Sequence, residues 1–337
     1  MDVFELTRQL IAIPSISGDE KRVADFLADC LSAARFQVEL QDAAGRPNVY
    51  AYRGDPQVVL STHTDTVPPY VELREDDEFI YGRGACDAKG IIAAMVKACE
   101  TLAEAGETDF GLLLVVGEEA GSPGAREANR IANRSRYLIN GEPTESKLAL
   151  GSKGALRAVF KATGRAAHSA YPEMGESATD KLLDVLNDLR AVELPESSTL
   201  GATTMNIGVI KAGVAANVIP AEAEAELMFR VVTDADSLKH LIERAARGRV
   251  EVDYTFSCDP VFTERLDGFE TTVVAFTTDI PLLTNWGRPL LFGPGSILDA
   301  HTEHEKISKQ ELARAVDAYA EMISNLKSDI SNLGEGA

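Results

Sequence analysis

The sequence predicts an α/β protein of two domains, in which an α/β domain built from both chain ends is interrupted by a smaller α+β insert. Three observations lead there. The 337-residue length suggests about two domains. Helical periodicity and short apolar runs alternate over the first 150 residues, then give way to long alternating strands. After Pro260 the first pattern resumes. The expected boundaries put residues 1–152 and 259–337 in the first domain and 153–258 in the insert.

Residues 2–12 and 18–34 carry apolar positions at helical spacing, and Ser17 with Glu20 three residues on reads as a capping box for the second helix. Apolar runs at 48–52, 57–61 and 111–117 read as strands, 88–104 and 123–133 as helices between them, and 137–140 as a further strand. This order implies a helix-covered sheet with active groups at strand ends. In the insert, 148–163 is strand-rich, 176–190 and 237–247 are helical, and 203–210, 217–232 and 250–257 are strands, an order that fits a four-stranded sheet. Beyond it we expect a helix near 268–280, a strand at 289–292, a closing helix at 309–326, and fraying in the SNLGEGA tail.

Composition excludes several functions. With 45% hydrophobic and 26% charged residues, the chain can fill ordinary cores. A net charge of −20 repels nucleic acid and anionic membranes, so neither is expected as a partner. No apolar run is long enough to cross a bilayer, and MDVFELTRQL lacks the basic start and apolar core of a signal peptide. Cys30, Cys86, Cys99 and Cys258 are irregularly spaced, as reduced thiols of a cytoplasmic protein would be.

Chemistry concentrates in a few residues. Taken singly, His63 in VVLSTHTDTVP reads as a surface or packing histidine, and Asp87 in YGRGACDAKG as a plain helix cap. Glu118 and Glu119 follow the apolar run GLLLVVG and would repel each other unless a cation or a shared proton relieved them. Glu142 lies in LINGEPT and His301 in GPGSILDAHTEHEK, each beside an expected strand. Together, imidazole and carboxylate groups at several strand ends suit zinc or a similar divalent ion. Two ions need four outer ligands and one bridging carboxylate, which leaves one glutamate free as a base. His240 and His304 read as solvated.

The motifs STHTDTVP, YGRGACDAKG, VVGEEAGS, NGEPT, AAHSAYP, ANVIPAEAEAELMFR and GPGSILDAHTEHEKI resemble those of the M20 family of zinc peptidases and amino-acid deacylases, in family order over nearly the whole chain. The resemblance implies a zinc-peptidase-like catalytic domain and a ferredoxin-like insert serving as lid and dimerisation domain. It implies two Zn2+ per chain, with Co2+ able to substitute. His63 and Glu142 would hold one ion, Glu119 and His301 the other, and Asp87 would bridge them. Asp65 would orient His63, and Glu118 would be the general base and acid. His168 in AAHSAYP would stabilise the oxyanion from a partner subunit, with Asn217 lining the same pocket. Arg230 would grip the substrate carboxylate, while Lys153, Thr278 and the turn around Gly295 would add substrate contacts.

Within the family, glutamate at the NGEPT position goes with deacylases and carboxypeptidases rather than aminopeptidases. The expected reaction is hydrolysis of the amide bond of an N-acylated amino acid in amino-acid biosynthesis, first N-acetyl-ornithine or N-acetyl-lysine. Succinyl-diaminopimelate is the runner-up substrate, and a lysine or ornithine carrier protein is third, since an acidic carrier would be repelled. The loop between HTDTVP and YGRG is shorter than in longer members, which bears on fine specificity. A catalytically dead relative that serves as a binding protein is the contrasting reading.

Overall fold

The computed structural model describes residues 1–334. The chain divides into two compact units: Met1–Leu150, Phe262–Thr272 and the chain from Thr278 on form the first, and Gly151–Val261 with Val273–Thr277 the second. Both boundaries of the second unit fall within three residues of the sequence expectation, which had left the short segment Val273–Thr277 in the catalytic domain.

At the centre of unit 1, Val58–His63 runs parallel to Phe110–Val115 on one side and to Tyr137–Asn140 on the other, and Tyr137–Asn140 runs parallel to Arg288–Leu291. Every residue of the first three of these strands is buried, which explains why they read as unbroken apolar runs. The antiparallel hairpin Gln37–Ala43 and Arg46–Arg53 extends the sheet beyond Phe110–Val115. Alternate side chains supply two cores. Val58, Leu60, Leu112, Leu114 and Ile139 join the core that holds the helices Val3–Ala12, Lys21–Ala33, Lys89–Glu104 and Lys309–Gly334. Val59, Leu113, Val115 and Leu138 meet the short helix Pro123–Ala128 and Trp286 on the other face.

Unit 2 has an antiparallel sheet in the order Thr204–Ala212, Glu222–Val231, Gly154–Thr163, Glu251–Cys258. Ala178–Arg190 and Ala235–Ala246 share a core with one of its faces. Connection and order together are those of a ferredoxin-like βαββαβ fold.

Local structure departs from the expectation in several places. The helix expected at 268–280 is instead a strand, Thr271–Val274, and a single 3-10 turn, Ile280–Leu282. Thr271, Thr272, Val273 and Val274 are all β-branched, which favours the strand. The strand Gln37–Ala43 went unread because its QVELQDA pattern exposes most of its side chains. The closing helix, Lys309–Gly334, runs past 326 into the tail expected to fray, and residues 335–337 of that tail lie outside the described residues. The four cysteines are free thiols, and no helix among the described residues is long and apolar enough to cross a membrane.

Candidate metal centre

The carboxyl ends of the parallel strands converge on one place, as ligand sites do in open α/β sheets. Val58–His63 ends on His63 itself. The chain leaving Phe110–Val115 forms a 3-10 turn at Glu118–Ala120, which carries both glutamates, and the chain leaving Tyr137–Asn140 reaches Glu142. Asp87 stands just before Lys89–Glu104, and His301 lies in the loop after Arg288–Leu291.

The distances tie these residues together. His63 Nε2 lies 2.9 Å from Asp87 Oδ1, while His301 Nε2 lies 3.3 Å from Asp87 Oδ2 and 2.6 Å from Glu119 Oε1. Three groups have ligand atoms within 4.8 Å of one another: His63–Asp87–Glu142, Asp87–Glu119–His301 and His63–Glu118–Glu119. His63 Nδ1 is 3.0 Å from the Asp65 carbonyl oxygen, so its N–H donates there and Nε2 is the nitrogen offered to the cluster.

The electrostatics ask for a cation. Burial drives Glu142 well above the ordinary carboxyl range, and its Oε1 is buried without a hydrogen-bond partner among the described residues. Burial, then the charge of Asp279, does the same to Glu118. Burial would also raise Asp87, but hydrogen bonds from His301 and His63 prevail and hold it well below its ordinary range. Hydrogen bonds to Asp87 and Glu119 push His301 up to about 10. Burial opposes protonation of His63, yet Asp65 and Asp87 still hold it well above its ordinary value. On Glu142, His63 and His301 a proton occupies a place that a divalent ion would fill, the ionised Asp87 lies between them, and the orphaned Glu142 oxygen fits such an ion.

Asp65 is fully buried and organises the cluster from behind. Its Oδ1 accepts the Glu118 N–H at 3.0 Å, and its Oδ2 accepts the Glu119 N–H at 3.2 Å and the Ser17 hydroxyl at 2.7 Å. This corrects the expected capping box. The helix starts at Lys21 with Glu20 at its N-cap position and no side-chain capping hydrogen bond, and Ser17 binds Asp65 instead. Glu20 is buried too, paired to Arg46 at 2.7 Å. Sequence reading passed over two further features. Arg83 and Glu305 form a buried ion pair under the Asp87 loop, and Asp279 is buried with neither carboxylate oxygen hydrogen-bonded among the described residues. Asp279 sits beside Thr278, itself already singled out, but nothing in the segment FTTDIP signals burial.

The remaining candidates separate into two kinds. Thr278 is buried and its Oγ1 accepts the Ile280 N–H at 3.2 Å, so the hydroxyl has a local partner. Gly295 has a φ of +88°, and a Cβ there would lie 2.7 Å from that of Cys86, so close packing alone explains the glycine. In unit 2, His168 pairs with Val218 across a two-residue ladder, and the Ser169 N–H donates to the Asn217 carbonyl at 3.0 Å, which brings His168 and Asn217 side by side. Both are exposed. Arg230 is half-buried on Glu222–Val231, opposite Thr204, and the Lys153 ammonium donates to the Ala202 carbonyl at 2.6 Å. His240 and His304 are exposed, as expected.

A sheet that delivers histidines and carboxylates from the ends of parallel strands defines a metallohydrolase of the α/β class. The chain belongs to the peptidase family M20/M25/M40, whose sequence profile matches residues 59–325. A peptidase M20 domain-containing protein of Schizosaccharomyces pombe is 38% identical over 96% of this chain and 84% of its own length. A probable carboxypeptidase of Emericella nidulans is 37% identical over 95% of this chain and 88% of its own. Among solved structures, a tripeptidase from Staphylococcus aureus superposes with a TM-score of 0.79 at 20% identity, covering 95% of this chain and 96% of that one, so the fold is shared.

Proposed function

We propose that this chain is a two-metal amidohydrolase that frees an α-amino acid from its N-acyl derivative, first N-acetyl-ornithine or N-acetyl-lysine, using zinc with cobalt able to substitute. The observation that carries this reading is the pair of triads His63–Asp87–Glu142 and Asp87–Glu119–His301, which share Asp87 and leave Glu118 outside both.

Two divalent cations held there supply Lewis acidity to the attacking water and the scissile carbonyl. The protein's own groups do the rest. Glu118, whose carboxyl is raised by burial and by the charge of Asp279, takes the proton from water and delivers it to the leaving amine. Asp65 fixes His63 and, through the two N–H groups it holds, the turn that carries Glu118 and Glu119. His168 and Asn217 donate to the developing oxyanion. Arg230 grips the α-carboxylate of the amino acid being released. Lys153, Thr278 and Gly295 are assigned to the surround of the substrate. The cytoplasm is the proposed compartment.

The active species in this reading is a homodimer formed through unit 2, with His168 supplied by the partner subunit. Inactive His168→Ala chains mixed with inactive Glu118→Gln chains then recover part of the activity, because one of the two sites has both groups. No recovery despite demonstrated subunit exchange overturns the shared site.

The relatives named probable carboxypeptidases support a second reading. A peptide's C-terminal residue leaves as the same α-amino acid, so only the acyl side differs. Succinyl-diaminopimelate needs a further cation for its extra carboxylate, and a carrier protein needs a basic docking surface, so both rank lower. Acetyl-ornithine, acetyl-lysine, succinyl-diaminopimelate and a blocked dipeptide, compared by kcat/KM with zinc and with cobalt, test the assignment. The acetylated amino acids are expected to lead. A leading dipeptide selects the carboxypeptidase, and protein that holds fewer than two ions and turns over none of the four selects the non-catalytic reading.

A further inference from the structure

Arg83 and Glu305 are 2% and 1% exposed, and Arg83 Nη1 lies 2.6 Å from Glu305 Oε2. A buried ion pair is seldom justified by stability, since well-packed apolar residues often do as well or better in its place. Its contacts suggest another purpose. Glu305 Oε1 accepts the N–H groups of Cys86 at 3.3 Å and Asp87 at 3.2 Å. Arg83 Nη1 also donates to the carbonyl of Thr302 at 3.1 Å, and Nε to that of Pro69 at 3.1 Å. One end of the pair therefore holds the backbone of Asp87, and the other holds the residue next to His301. His301 needs holding. Its φ of 64° is a left-handed conformation that is strained for a non-glycine residue and persists only where the surroundings enforce it.

We propose that the Arg83–Glu305 pair is a positioning device that sets the spacing between Asp87 and His301, and through it the cation affinity of the Asp87–Glu119–His301 half. The inference rests on the two-metal reading above. The other half shares Asp87 but depends less on the pair, because its remaining groups are held by the central sheet, where His63 closes a strand and Glu142 follows one, whereas His301 relies on the pair as well. Glu305 occurs in HTEHEK, where nothing local signals burial, so only the structure reveals its place.

The test uses the full-length chain stripped of metal and titrated with zinc by calorimetry. Glu305→Gln keeps an acceptor for the two N–H groups but removes the charge facing Arg83. The double variant Arg83→Met with Glu305→Gln removes both charges, so no buried charge is stranded if the single variant folds poorly. In either variant the first equivalent is expected to bind nearly as in the wild type, and the second about 10–100-fold more weakly, the usual cost of losing an outer contact to a metal ligand. A pair that serves only to join the loops would lower the melting temperature of the metal-free protein and leave both affinities unchanged. Unchanged affinities, or equal losses at both equivalents, overturn the proposal. If the wild type itself binds fewer than two equivalents, the two-metal reading falls first and takes the clamp with it.

Discussion

His63 and Glu142, 2% and 5% exposed, enter the centre from the buried heart of the sheet, whereas Glu119 rides on a 3-10 turn and His301 on a loop, with 48% of its side chain exposed. Asp87 is common to both halves. In the first half the ladder between parallel strands fixes His63 and the chain leading to Glu142. In the second, strained and exposed backbone has to be organised by contacts from outside the cluster. The two halves are therefore expected to differ in affinity and exchange, with the sheet-held ion the tighter.

Asp87→Ala gives the largest effect, because it removes the ligand the halves share. Metal analysis of purified protein should find both equivalents lost and turnover at background. His301→Ala should lose chiefly one. Two full equivalents retained by both variants would break the comparison at its root, since the triads would then not be metal sites.

Glu118→Gln comes next. The third cluster, His63–Glu118–Glu119, leaves open a ligand role for Glu118. As a base, its replacement by glutamine should lower kcat by about 10²–10⁴-fold with two equivalents of metal retained. Loss of an equivalent would instead make Glu118 a ligand and redraw the sheet-held half.

How far sequence reached follows the same division. The parallel strands were legible because burial on both faces leaves an unbroken apolar run, and the residues at their ends were legible because histidines are few and paired glutamates conspicuous. What holds those residues was not. Ser17 has the spacing of a helix cap, and only the meeting of the segment around Ile16 with Thr66 shows that its hydroxyl serves Asp65. Asp279 and Glu305 look like surface acids until tertiary packing buries them. Local pattern specifies elements and residue types, whereas contacts between residues distant in the chain specify which polar groups are inside.

His301 offers a smaller, pH-resolved test of the loop-held half. In metal-free protein Asp87 and Glu119 push it from 6.5 up to about 10. The folded chain thus holds a proton that the unfolded chain releases. The stability this contributes is present in full below about pH 6.5 and is lost as pH rises through about 10. The difference in melting temperature between metal-free wild type and metal-free His301→Gln should shrink across that range. Comparing the two proteins cancels other titrations, such as that of Lys89, which burial brings down to about 7. A constant difference would mean that the imidazolium is not paired with the carboxylates in solution.

The smallest effect is expected at Ser17, where two roles for one hydroxyl can be told apart. Ser17→Ala removes a hydrogen bond to a buried carboxylate, so folding stability should fall by about 1.5–3 kcal/mol, and Ser17→Thr should restore most of it. A helix cap would predict a loss of similar size, about 0.5–2 kcal/mol, so stability alone does not decide. The pH dependence does. Burial would raise Asp65, but hydrogen bonds with His63, Ser17 and the Glu118 N–H hold it below its ordinary 3.8. A lowered carboxyl contributes stability that is present above 3.8 and disappears as pH falls through the folded value. Without the Ser17 hydroxyl the folded value moves back up toward 3.8, so the stability gap between wild type and Ser17→Ala should narrow on acidification below that pH. A cap contact between neutral groups has no such dependence. A gap that stays constant into acid would return Ser17 to the helix and leave Asp65 held by His63 and the two backbone N–H groups alone.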